Sequence, residues 1–155
     1  MGKTTSGQKI LTDNRKARFQ YEILERFEAG IALVGTEVKS LRQGKANLTD
    51  GFALVRDAEV WLHNVHISPH ENASQVFNHD PRRTRKLLLH RDEIRRLVGK
   101  MEQKGLTLIP LKLYLKQGRV KVDLGLCRGK KLHDKRESLK RKQESREIAR
   151  ALKDY

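Results

Sequence analysis

The stretch Leu106–Arg128 limits the fold most. Leu111, Leu113 and Leu115 alternate with Lys112, Tyr114 and Lys116, the chain turns at Gln117-Gly118, and Val120, Val122, Leu124 and Leu126 alternate again. A period of two on both sides of a turn-forming pair is a long antiparallel hairpin. Pro110 has no N–H to give to a ladder and marks an edge or a bend in the first arm. Similar alternation at Phe19, Tyr21 and Ile23 makes Arg18–Glu28 the first strand, with a bulge at Leu24–Arg26 where the register breaks before Phe27.

Further strands are expected at Ile31–Gly35, Phe52–Val55, Val60–Ile67 and Lys86–His90. A short helix is expected over Thr36–Gln43, with Thr36 as N-cap, Val38 and Leu41 facing inward and Gly44 past the end. The clearest helix is Arg91–Lys104. Ile94, Leu97, Val98 and Met101 share one face, acids open the first turn, and Gly105 closes it. Asn14–Ala17 reads as a basic entry of one helical turn, and residues 1–13 as disordered. About six predominantly antiparallel strands with two or three short helices suggest a small closed or partly open barrel, with an α+β sandwich as the alternative. The long segment Ser68–Arg85, bounded by Pro69 and Pro81, is the loop most expected to carry function or motion.

Charge narrows the class of partner. Lys and Arg number 34 against 19 Asp and Glu, a net of +15 and a pI of about 10.2. Such a balance favours polyanions, nucleic acid or an anionic surface, in a salt-dependent way. Residues 128–155 carry 11 Lys and Arg against 5 Asp and Glu, without Pro or Gly after Lys130. This tail reads as disordered alone and helical on a polyanionic surface. No apolar run is long enough to span a bilayer, and MGKTTSGQKI lacks the apolar core of a secretory signal. A single cysteine, Cys127, excludes an internal disulfide framework and suits a reducing cytoplasm.

Catalytic chemistry finds little support. His63, His66 and His70 are poorly spaced as metal ligands. There is no G-x-S-x-G elbow and no phosphate-binding P-loop, and Cys127 has no catalytic partner by spacing. Arg82, Arg83, Arg85 and Lys86 form a basic cluster suited to phosphates, with Phe77 and His79 as candidate stacking groups. At 5% aromatic residues, extensive stacking on single strands is unexpected, and structured RNA read by shape and phosphates fits better. Glu28, a carboxylate near basic surface, either screens repulsion or accepts hydrogen bonds from base edges or ribose hydroxyls.

Three stretches carry a resemblance: FEAGIALVGTEVKSLRQGKANL from Phe27 to Leu48, DPRRTRKLLLHRDEI from Asp80, and GKKLHDKR from Gly129 to Arg136. In that order they closely resemble the small protein B family, the SsrA-binding proteins, from about Asn14 to the end. The resemblance implies a mainly β fold with short helices: an oligonucleotide-binding (OB)-like, six-stranded antiparallel β-barrel over residues 14–128, followed by a basic tail over 129–155. It implies a cytoplasmic, non-catalytic RNA-binding protein without cofactor. Its partners would be the tRNA-like domain of transfer-messenger RNA (tmRNA), the ribosome, and elongation factor Tu with alanyl-tmRNA, and no membrane. It would deliver the RNA to stalled ribosomes for trans-translation. Carried over by residue, Asn14, Glu28, Lys39, Arg42, Lys45, Arg82, Arg83, Arg85 and Leu88 would contact tmRNA. Arg82 stands where several members have another residue. Gly129, Lys130, Lys131, His133, Asp134, Lys135 and Arg136 would engage the decoding centre, with the His133 imidazole stacking on a ribosomal base. Arg141, Arg146, Ile148 and Arg150 would lie in the empty message channel. A basic RNA-binding module of another kind, and a nuclease using His63 and His66, are the competing readings.

Overall fold

The computed structural model describes residues 8–102, 105–130 and 132–153. Nine strands occur in chain order: β1 Gln8–Asp13, β2 Tyr21–Ile31, β3 Ala46–Asn47, β4 Phe52–Arg56, β5 Glu59–His63, β6 His66–Ile67, β7 Arg85–Leu88, β8 Leu106–Lys116 and β9 Arg119–Gly129. The helices are α1 Arg15–Gln20, α2 Gly35–Arg42, α3 Arg91–Met101 and α4 Leu132–Lys153. All pairings are antiparallel, and β8-β4-β5-β7-β2-β9 closes on itself through β8–β9. This is the expected six-stranded barrel. β1 adds outside the ring along β8, and β3 and β6 make a separate two-stranded ribbon.

The hairpin β8–β9 turns at Gln117 (φ 52) and Gly118 (φ 76), a two-residue turn whose left-handed backbone matches strand twist. Two bulges decide which side chains face inward. In β2, Leu24 is the extra residue between Ile23 and Glu25; in β8, Leu111 is the extra residue between Pro110 and Lys112. An extra residue swaps the faces of everything beyond it. Phe27, Ala29, Leu113 and Leu124 therefore point into the barrel, whereas Ile23, Ile109, Leu111 and Cys127 form a second cluster with Ala17 of α1. Burial pushes the Cys127 thiol up to about 11, which keeps it a protonated core group. At the other end Leu97 of α3 is fully buried, and Glu25 pairs with Arg96 and Lys100.

Several segments differ from expectation: the strand expected over Ile31–Gly35 ends at Ile31, and α2 begins at Gly35 with Val34, not Thr36, as its N-cap. Gln8–Asp13 is a strand, where disorder was expected through residue 13; residues 1–7 lie outside the described residues. Its own pattern is weak, and β8 supplies the pairing that orders it. Arg15–Gln20 is helical, where Arg18 was expected to open a strand. The side chain of Asn14 caps the helix by accepting from the Ala17 N–H at 3.2 Å, and that local bond wins over the alternation of Phe19 and Tyr21. Leu132–Lys153 is one helix, α4, built from strong helix formers. Its residues 139–150 are all exposed, Leu139 and Ile148 included.

Gly51 lies in the chain between β3 and β4, packed against Val65 and Pro110. An added Cβ would lie 2.6 Å from Val65 Cγ2 and 3.0 Å from Pro110 Cγ. Gly51→Ala is expected to destabilise the fold by about 1–3 kcal/mol through overpacking, read from the midpoint of chemical denaturation.

Candidate nucleic-acid interface

The outer face of β2, β8 and β9 carries the Glu28 and Asp123 carboxylates among several cations. Glu28 lies in mid-β2, opposite Asp123 of β9. The Tyr114 hydroxyl donates to Glu28 Oε2 at 2.7 Å, and Lys116 Nζ lies 3.2 Å from both carboxylate oxygens. The Tyr114 bond, reinforced by Lys116 and Lys121, outweighs desolvation and holds the Glu28 carboxyl below the ordinary glutamate value. Burial, with the bond to Glu28, pushes the Tyr114 phenol up, so it remains a donor at neutral pH. Lys112 Nζ stands 5.4 Å from the centre of the Tyr114 ring. Burial also raises Asp123, while Arg26 at 3.7 Å opposes that shift.

Leu88 belongs to the same surface. It is 53% exposed and pairs with Gly30, two residues along β2 from Glu28. Gly30 in turn pairs with Lys121 on its other side. The barrel thus brings together Glu28 and Leu88, far apart in sequence, with Lys121, Tyr114 and Lys116 on the other side of β2 from Leu88. Those last three were absent from the sequence-based set. Their outward alternation along the hairpin was visible, but which neighbour they face depends on strand order.

Two candidates are interior groups. Asn14 is 3% exposed, and its Nδ2 donates to the Leu48 and Pro110 carbonyls. Both polar atoms of its side chain are committed to bonds within the fold that tie α1 to the barrel. Arg85 is wholly buried. It pairs with the equally buried Glu37 and donates to the Val65 and Pro81 carbonyls. A guanidinium with no exposed surface cannot clamp a phosphate. Arg83, partly exposed, donates to the other Glu37 oxygen at 2.5 Å and to the Ala32 carbonyl. Burial opposes ionisation of Glu37, but the bonds from Arg83, the Val34 N–H and Arg85 prevail and hold its carboxyl below the ordinary value. Glu37 is the hub that joins α2 to the long loop.

The loop between β6 and β7 is stapled at its base. Asn78 accepts from the His70 and His79 N–H groups and donates back to the His70 carbonyl. His79 is buried, with Nδ1 2.8 Å from Thr36 Oγ1 and Nε2 2.8 Å from the Ile67 carbonyl oxygen. It is therefore not a stacking group, whereas Phe77 is 80% exposed. Lys39 and Arg42 are exposed on α2, Lys45 pairs with Glu71, and exposed Arg82 donates to Asn64 Oδ1 at 2.6 Å.

The second candidate stretch begins where the barrel ends. Gly129 closes β9 opposite Tyr21, and the Lys130 N–H donates to the Gln20 carbonyl at 3.1 Å. Six residues of β9 separate Asp123 from Gly129, so the Glu28 surface and the tail origin lie about 20 Å apart along the strand. His133, Asp134, Lys135 and Arg136 lie in the first turns of α4, and Arg141, Arg146, Ile148 and Arg150 farther along it. Lys131 lies outside the described residues. Among the described residues, no three His, Cys, Asp or Glu side chains converge as metal ligands, and no helix is long and apolar enough to cross a membrane.

A model of the SmpB protein family matches residues 11–154. An SsrA-binding protein of Synechococcus elongatus is 71% identical over 149 residues, 96% of this chain and 97% of that protein. One of Trichormus variabilis is 66% identical over the full length of both. A solved chain described as "tmRNA-SmpB: a journey to the center of the bacterial ribosome" is 57% identical, with a TM-score of 0.68 over 83% of this chain and 93% of that one. The chain belongs to the SmpB family, the SsrA-binding proteins.

Proposed function

We propose that the protein binds the tRNA-like domain of tmRNA through the outer face of the barrel and delivers that RNA to stalled ribosomes. The observation that carries this reading is the Glu28 cluster: an ionised acceptor fixed by Tyr114 and Lys116, beside exposed Leu88 and surrounded by lysines. Cations alone hold phosphates of any RNA; a rigid carboxylate among them adds an acceptor for base edges or ribose hydroxyls, and so selects a shape. Lys39, Arg42, Lys45, Arg82 and the exposed part of Arg83 supply phosphate contacts from α2 and the adjoining loop. Asn14 and Arg85 act from the interior by holding these elements in place.

The tail has the second role. The Gly129–Arg136 junction docks at the small-subunit decoding centre, and α4 beyond it, including Arg141, Arg146, Ile148 and Arg150, occupies the message channel. Message already in the channel excludes it, so occupancy by the tail reports vacancy. The protein acts in the cytoplasm as a binding factor rather than a catalyst, with elongation factor Tu carrying the alanyl-tmRNA in the same complex.

Glu28→Ala tests the barrel half of this reading. It is expected to weaken binding to a labelled tRNA-like-domain transcript roughly ten-fold or more. The urea midpoint should move little, because Glu28 lies on the solvent face. Unchanged affinity would remove Glu28 from the interface.

A further inference from the structure

The solvent face of β4, β5 and β7 carries the apolar pair Leu54 and Trp61 among charged neighbours, where an antiparallel sheet normally turns polar residues to water. Ladder register places Leu54 opposite Trp61 and Trp61 opposite Lys86; in the next row Phe52 is opposite His63. Leu54 is 47% exposed, and the Phe52 and His63 rings stack with centroids 5.3 Å apart and 11° between planes. Leu54, Trp61 and His63 line an open groove of about 610 Å³ whose lining also includes Arg56, Asp57 and Glu59. The inward partners Ala53, Val60, Leu62 and Leu87 are buried, and Phe52 packs on the second core cluster, which leaves Leu54 and Trp61 outside the core.

We propose that this groove is a further subsite of the RNA interface, and that it takes an unpaired nucleobase of the tRNA-like domain, stacked against Trp61. The inference rests on the reading that the barrel face binds that RNA. Continuity supports it: β7 lies between β5 and β2, so Leu88 joins the Trp61 groove to Gly30 and Glu28 without a break in the face. Two strand spacings separate Trp61 from β2, about 10 Å, a distance one strand of RNA spans readily. An aromatic floor suits a base; Lys86 beside it is paired with Glu59 at 2.9 Å, and exposed Arg56 in the groove lining is the cation placed for the phosphate. Aromatic residues make up only 5% of the chain, yet Trp61 stands on this outer face, one ladder row from Phe52.

Trp61 is the only tryptophan, so its fluorescence reports on this groove alone. The full chain is titrated with an unlabelled tRNA-like-domain transcript while binding is followed in parallel by anisotropy of the labelled transcript. Quenching that saturates at the same RNA concentration as the anisotropy supports the subsite. So does a roughly ten-fold weakening in Trp61→Ala that Trp61→Phe largely restores. Leu54→Ser, a change on the exposed face, should weaken binding in the same direction. Full binding with unaltered Trp61 emission and unaltered affinity in Leu54→Ser overturns the subsite and leaves the Glu28 reading standing. A Trp61 change that follows protein concentration without RNA assigns the groove to a second copy of the chain and likewise overturns it. Absence of any RNA binding overturns both readings together.

Discussion

Glu37→Ala is expected to lower the unfolding free energy by about 3–5 kcal/mol, because it strands the Arg85 guanidinium in the interior. Both side chains are fully buried, and Glu37 satisfies Arg85, Arg83 and the Val34 N–H at once. The Val65 and Pro81 carbonyls still accept from Arg85, but neutral oxygens do not balance its charge. Against a typical total of about 5–15 kcal/mol, the loss is large. It should be local as well as global, since Glu37 and Thr36 fasten α2 to the loop through Arg83 and His79. Chemical denaturation measures the first effect, and faster amide exchange around residues 66–85 the second. The pH dependence follows the same pair. The folded-state carboxyl lies below the ordinary glutamate value of 4.5, so its contribution is present above that value and is lost as pH falls through the folded value. A loss below about 1 kcal/mol would mean that Arg85 finds another counter-charge, contrary to the geometry.

Removal of the chain after Gly129 is expected to abolish peptide tagging on stalled ribosomes while leaving affinity for the tRNA-like domain within about two-fold. Gly129 ends β9, and every strand of the barrel precedes it. The Glu28 surface lies about 20 Å away along the sheet. What the truncation removes is the Gly129–Arg136 junction beyond its glycine and all of α4, whose residues 139–150 are not packed on the barrel. At least ten-fold less tagging is the expected outcome, measured in a translation system stalled on message without a stop codon and supplied with charged tmRNA. Intact tagging would sink the division of labour between barrel and tail.

The pattern of what was legible follows from the range of the forces involved. The Leu106–Arg128 hairpin and the Arg91 helix are written in local periodicity, and both appear within a few residues of their expected bounds. The break before Phe27 and the bend at Pro110 are present as bulges. Alternation could not show that Ile23 and Leu111 serve a different core from Phe27 and Leu113, since one inserted residue reverses the faces. Arg85 read as part of a phosphate-binding cluster because it is charged in isolation; only its meeting with Glu37 across 48 positions makes burial tolerable. His79 was misplaced for the same reason. Its acceptor and donor, Ile67 and Thr36, come from other elements. The grouping of Glu28 with Leu88 and Tyr114 depends on strand order, which no single stretch records.

The central claim is that the barrel reads the shape of one RNA rather than charge in general. The measurement that tests it most directly is a salt titration of binding to the tRNA-like domain of tmRNA, with ordinary tRNA as competitor. A preference for the tRNA-like domain that persists at moderate salt is the predicted result, because the Glu28 acceptor and its neighbours contribute selection that screening does not remove. Equal affinity for the two RNAs, falling steeply together as salt rises, would contradict it and reduce the interface to its net charge of +15.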